Sequence, residues 1–101
     1  MKLNIKTGEV YTFKLNSGGE LITKVTEADD TWIIIEEPVS IAPGPQGMGL
    51  VPSMFTADTK QVIRLNTSAV TMFALTEDAV KMKYIEATTG IRVPEKKLIL
   101  G

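Results

Sequence analysis

The chain reads as a mostly β protein: a small, strongly bent antiparallel barrel followed by one C-terminal helix. Three observations predict this. Residues 11–37 hold three strand-like runs in succession, each separated from the next by a turn cluster. Further short apolar runs follow at intervals up to residue 75, broken by turn residues, which is the pattern of a small barrel. A helix start signal then stands at Thr76 and a stop signal at Gly90. With 101 residues the chain has room for one core and not two, so a single domain is expected. Its barrel spans about residues 10–75, its helix about 77–88 and its tail 91–101.

Met1 to Glu9 alternates weakly through Leu3 and Ile5 and reads as a short strand or an arm. Tyr11, Phe13 and Leu15 alternate with Thr12 and Lys14, the period of a strand with one buried face. Asn16-Ser17-Gly18-Gly19 tolerates positive φ and reverses the chain. From Glu20 to Glu27 a second strand places Leu21, Thr23 and Val25 on one face and Ile22, Lys24 and Thr26 on the other. Ala28-Asp29-Asp30 turns the chain again. The third strand, from Thr31 to about Ile41, is long enough that it must curve, and Pro38 marks the place. Residues 42–49 carry three Gly and two Pro and read as a loop, the tip of a hairpin or a flexible lip. Leu50 to Thr56 is expected to return as a strand carrying Met54 and Phe55.

Gln61 to Leu65 forms a short fourth segment, and Asn66-Thr67-Ser68 a tight turn. Ala69 to Leu75 is the fifth strand, apolar enough on both faces for burial on both sides or in a subunit contact. Thr76 is the expected N-cap of the helix, with Glu77 and Asp78 favouring its dipole and Glu77 four residues before Lys81. Val80, Tyr84 and Ala87 make its apolar stripe, with Met82 and Ile85 beside it. In the tail, Leu98-Ile99-Leu100 is too apolar for a free end and is expected to dock on this domain or a neighbour.

Composition excludes several chemistries. There is no histidine and no cysteine, so a Cys-His zinc site, a cysteine nucleophile, a Ser-His-Asp triad and imidazole acid-base catalysis are all ruled out. No cofactor is implied. The net charge of −1 gives no global pull toward nucleic acid or an anionic membrane, so any such binding must be local. No apolar run approaches the ~20 residues of a membrane helix, and the N-terminus lacks a signal-peptide core. A soluble cytoplasmic protein without a membrane partner is expected.

The spacing Leu15-x-x-Gly18-x-x-Leu21-x-x-x-Val25-x-x-Ala28-Asp29-x-x-Trp32-x-Ile34-Ile35 resembles the first motif of Sm and Sm-like proteins. Ile63-Arg64-Leu65-Asn66 through Ala69-Val70 resembles a degraded second motif. Together they cover about two thirds of the chain. Ser17-Gly18-Gly19-Glu20, Val25-Thr26-Glu27-x-Asp29 and Glu36-Glu37-Pro38 are also similar in wording to small Sm-like proteins of bacteriophages. The resemblance implies an SH3-like, Sm-like barrel that assembles into a homo-oligomeric ring and binds single-stranded RNA. It places the RNA site at Asp30, Trp32, Arg64 and Asn66. Two departures limit it: the family's base-gripping Asn is Ile33 or Ile34 here, depending on which Asp is the motif's, and its Arg-Gly is Arg64-Leu65. The family's uridine readout therefore does not carry over. The helix also departs, because it follows the last strand where the family usually has one before the first.

For Trp32 the rival reading is a core residue opening an apolar strand. For Arg64 it is a solvated side chain or an ion-pair partner. Asp29 and Asp30 are adjacent and point apart, which suits a turn and not paired acid-base work. Residues 42–49 lack Gly-Lys-Ser/Thr and open no helix, so they cradle no phosphate. The lysines at 81, 83, 96 and 97 are offset by Glu77, Asp78, Glu86 and Glu95, a solvated mixed face. The leading expectation is a non-enzymatic ring-forming RNA-binding protein. The alternative is a structural or adaptor protein of a phage, whose ring holds protein partners.

Overall fold

The computed structural model describes residues 4–58 and 60–89. It contains strands β1 (Val10–Leu15), β2 (Glu20–Ala28), β3 (Trp32–Gly44), β4 (Gly47–Pro52), β5 (Ile63–Asn66) and β6 (Val70–Leu75), then helix α1 (Asp78–Thr89). A 3-10 turn, Thr67–Ala69, joins β5 to β6. All pairings are antiparallel, in the order β4-β3-β2-β1-β6, with β5 also on β3. The expected mostly β architecture with a C-terminal helix is therefore present, in a sheet of six strands. The sheet is not closed by a ladder: β5 and β6 each pair on one side only among the described residues. No helix among those residues is long and apolar enough to cross a membrane.

Two hairpins follow their turn residues closely. Between β1 and β2, Gly18 takes φ 104°, and the Gly18 and Leu15 amides bond back across the turn. Between β3 and β4, Pro45-Gln46 turns the chain and Gly47 takes φ 103°. Residues 42–49 are thus the tip of a hairpin, one of the two expected forms, but not a loop along their length. Apart from that two-residue turn they are ladder, with Ala42 opposite Gly49 and Pro43 opposite Met48. Proline and glycine are tolerated because this is an edge hairpin, where a missing donor or side chain costs little. The return strand ends at Pro52, so Met54 and Phe55 lie beyond it.

β3 organises the fold because its two halves serve different partners. Trp32–Ile35 pairs with β5, Val39–Gly44 pairs with β4, and the opposite edge pairs with β2 between Ile33 and Ser40. Between the halves, Lys24 faces Glu36 but Ile22 faces Val39, so β3 carries one extra residue there. Glu37 absorbs it with φ 50°. The insertion inverts the alternation. Ile33 and Ile35 face the inside of the bent sheet with Tyr11, Phe13, Leu21, Val25 and Ile63, whereas Val39 faces the other side with Val10, Ile22 and Tyr84. The expected division of β2 holds, since Leu21 and Val25 enter the first cluster and Ile22 the second.

The helix closes the second cluster. Tyr84 is its one buried residue, with Val80 packed beside it. The Tyr84 hydroxyl donates to the Glu36 carbonyl at 2.7 Å and accepts from the Lys24 amide at 3.1 Å. Thr23 Oγ1 donates to the same carbonyl at 2.7 Å. The bulge therefore keeps its polar groups satisfied by a helix residue distant in sequence.

Several local expectations are corrected. Residues 4–9 form no strand, although Ile5 packs on the first cluster. The helix starts at Asp78, and the Lys81 amide bonds to the Glu77 carbonyl. Thr76 is thus still part of the β-layer, its hydroxyl 2.9 Å from that of Thr12 and its amide on the Val10 carbonyl. Lys81 reaches Glu9 at 3.7 Å across a half-exposed gap, a pair worth at most about 1 kcal/mol. Ala87, Met82 and Ile85 are exposed. β6 is not buried on both faces: only Val70 and Phe73 are partly covered, because it is an edge strand held by β1 alone. The expected tail, with the Gly90 stop, lies outside the described residues.

Removing the bridging hydroxyl tests this arrangement. Tyr84→Phe leaves the Lys24 amide without its acceptor and is expected to cost about 1–3 kcal/mol in urea unfolding, with the packing retained. Burial pushes the Tyr84 phenol above its ordinary 10.0. The folded state therefore favours the neutral phenol, a contribution fully present below pH 10.0 and lost as pH rises through the higher folded value. Tyr84→Phe is expected to lack that alkaline loss when the two proteins are unfolded side by side.

Candidate nucleic-acid interface

Three connections collect at one end of the sheet. In the β2–β3 turn, Asp29 Oδ1 accepts from the Thr31 amide at 2.8 Å and the Trp32 amide at 2.7 Å, an Asx turn. These amides hold its carboxyl below the ordinary value, that of Trp32 most. Asp30 contributes its carbonyl, which accepts from Thr67 Oγ1 at 2.7 Å, while the Thr67 amide bonds to the Thr31 carbonyl at 2.9 Å. The 3-10 turn is thereby tied to the β2–β3 turn. It is tied equally to the β1–β2 turn, since Asn16 donates from Nδ2 to the Ser68 carbonyl and from its amide to the Ala69 carbonyl. Asn16 Oδ1 accepts from Thr71 Oγ1 at 2.6 Å.

On this frame β3 and β5 present an outward surface. Trp32 stands directly opposite Asn66, and Ile34 opposite Arg64. Residues directly opposite share a face of the sheet, so all four lie on the side away from Ile33, Ile35 and Ile63. Trp32 is 40% exposed and Arg64 is exposed. Trp32 is thus not the core residue of the rival reading. The ladder puts it one position out of phase with the core. Arg64 sits diagonally from it in the register, and diagonal neighbours of this kind are typically ~7–8 Å apart. Asn66 uses Oδ1 to accept from the Ser68 amide and hydroxyl, capping the 3-10 turn, which leaves Nδ2 as the donor it can offer.

The structure therefore gathers Trp32, Arg64 and Asn66 on one surface and sets Asp30 at its border through the backbone. The residue whose carboxylate shapes the turn is Asp29. The expected meeting of the Asp29 to Trp32 turn with the Arg64 to Ser68 turn is found, whereas sequence reasoning missed Asn16, whose polarity and turn position are the only signal it carries, and the apolar floor that Ile34 completes. Across β2, Ile34 faces Glu27, giving a row of Glu27, Ile34 and Arg64 over three strands. Beyond Ile34 a concavity of about 370 Å³ is lined by Glu36 and Glu37 as well as Lys60 and Gln61, and the paired carboxylates disfavour an anion there. The surface offers a flat indole, a guanidinium and an amide. It is suited to stacking and to hydrogen-bond donation. Among the described residues no group of three or more carboxylates, histidines or cysteines converges to hold a metal.

No protein-family model matches the chain, and no curated protein matches it significantly in sequence.

The Asx turn yields a test by pH. With its folded-state pKa depressed below 3.8, Asp29 contributes stability that is present above pH 3.8 and lost as pH falls through the folded value. Asp29→Asn keeps the accepting oxygen but not the charge. The stability difference between the native protein and this variant is expected to be largest near neutrality and to shrink in urea titrations carried to acid pH.

Proposed function

We propose that the protein is a non-enzymatic subunit of an Sm-like barrel ring that binds single-stranded RNA through the surface of Trp32, Arg64 and Asn66, bordered by Asp30. The observation that carries this reading is the exposed cross-strand pair of Trp32 and Asn66 with Arg64 diagonal to it. Trp32 stacks a base, while Arg64 and the Asn66 Nδ2 donate to phosphate or a base edge. The chain's net charge of −1 is no obstacle. A ring repeats Arg64 around a small circle and concentrates positive charge locally.

The unpaired edges of β5 and β6 support the ring, because the β5 edge of one copy and the β6 edge of the next satisfy each other. Met72 on β6 is 62% exposed and Leu75 is exposed, apolar surface that such a contact would cover. The second reading, a phage structural or adaptor protein, has its own support. Met82 and Ile85 are exposed on the helix and suit a protein partner.

Binding to oligouridine and oligoadenine across a salt titration tests the RNA reading, since phosphate contacts make affinity fall steeply with salt. Trp32→Ala is expected to weaken binding roughly ten- to a hundredfold, from a stacking contribution of ~1–3 kcal/mol. Arg64→Ala is expected to weaken it and flatten the salt slope, whereas Lys97→Ala leaves both unchanged. Equal affinity in all three overturns the site.

Assembly is tested separately. Sedimentation of the 11.0 kDa chain is expected to give a closed oligomer at micromolar concentration, and Met72→Glu a smaller species because the contact would bury an unpaired carboxylate. A monomeric native protein overturns the ring.

A further inference from the structure

A groove separate from the stacking surface runs between the β3–β4 hairpin and the end of the helix. Its volume is about 350 Å³, more than twice the ~150 Å³ that accommodates a benzene ring. It is lined by Leu50 and Pro52 of the hairpin, by Met54 and Phe55 beyond it, and by Ala87 and Thr88 of the helix. Phe55 is 80% exposed and Met54 48%, an open apolar wall that a soluble domain rarely leaves uncovered.

We propose that the groove is the docking site of the chain's own C-terminal segment, residues 91–100, with Leu98, Ile99 and Leu100 seated against Met54 and Phe55. Three facts select this occupant. The groove opens on Ala87 and Thr88, within two residues of Thr89, where the helix ends. Leu98 lies nine residues further on, and nine extended residues reach up to ~30 Å, ample to cross a groove that begins at the point of attachment. Glu37 is the charged residue on the groove's lining, and the segment carries Arg92, Lys96 and Lys97 against Glu95 alone. Charge and apolar surface are thus both complementary. The tether favours the same chain over a second copy, because a short linker raises the local concentration of the segment to about the millimolar range.

The absence of cysteine allows one spin label to be placed at the terminus as Gly101→Cys, outside the apolar cluster. In the full chain with methyl-labelled methionine, the Met54 signal is expected to lose most of its intensity while that of Met72 is retained. Mixing spin-labelled chains carrying no isotope with isotope-labelled chains carrying no spin label is expected to leave Met54 unaffected. Adding Leu98→Asp and Leu100→Asp to the spin-labelled chain is expected to restore the Met54 signal. An undiminished Met54 signal in the spin-labelled chain overturns the proposal. Loss of that signal in the mixed sample overturns it in favour of exchange between copies, and loss that persists in the Leu98→Asp, Leu100→Asp chain overturns the apolar contact.

Discussion

The extra residue that β3 carries at Glu37 is the constraint on which the remainder of the structure depends. Without it, Val39 would continue the alternation of Ile33 and Ile35 and face the inside of the sheet, and the helix would find no apolar surface to cover. With it, one strand supplies both cores. A left-handed backbone at a non-glycine residue costs on the order of 1–3 kcal/mol, so the surroundings must hold it in place. Thr23 and Tyr84 do so by converging on the Glu36 carbonyl, and Tyr84 adds an acceptor for the Lys24 amide. The helix thus acts as a brace on β3 at its extra residue, with a hydroxyl group as its contact.

The extra residue also explains where the candidate interface lies. Because β3 changes face at Glu37, its first half is free to pair with β5 while its second half pairs with β4. The first half then presents Trp32 and Ile34 outward beside Arg64 and Asn66. The β3–β5 ladder continues past Trp32 and Asn66 into the two turns, where Thr67 bonds to Asp30 and Thr31. Asn16 fastens the third connection, so the surface rests on backbone-anchored turns and not on mobile side chains.

A chain with nearly balanced charge, no histidine and no cysteine has few ways to act on a ligand. Stacking on an indole is one of them, because it is insensitive to net charge and tolerant of base identity. The residues beside the indole fit such a surface: Ile33 is buried in the core, and Ile34 adds apolar floor between Glu27 and Arg64. The proposed RNA site is accordingly a stacking platform with cationic and amide donors at its edge.

The sequence by itself determined the local structure wherever one residue's own conformational preference decides the outcome. Gly18 in its turn, the two faces of β2, the Asp-rich turn before Trp32 and the helix after residue 75 were all legible, since φ preferences and alternation act over a few residues. The strand register was not. Residues 42–49 look like loop by composition, yet pair as an edge hairpin because β3 offers them a ladder and an edge tolerates Pro and Gly. β6 looks buried by composition, yet is exposed because only β1 pairs with it. Trp32 was legible as a candidate, but whether it belonged to the core turned on its phase against Ile33 and Ile35. That phase is settled by pairing with β2 and β5, whose partners lie as many as 34 positions away in the case of Asn66. Tertiary structure alone decided it, because a one-residue insertion inverts a strand's faces and its position is chosen by contacts that no local window contains.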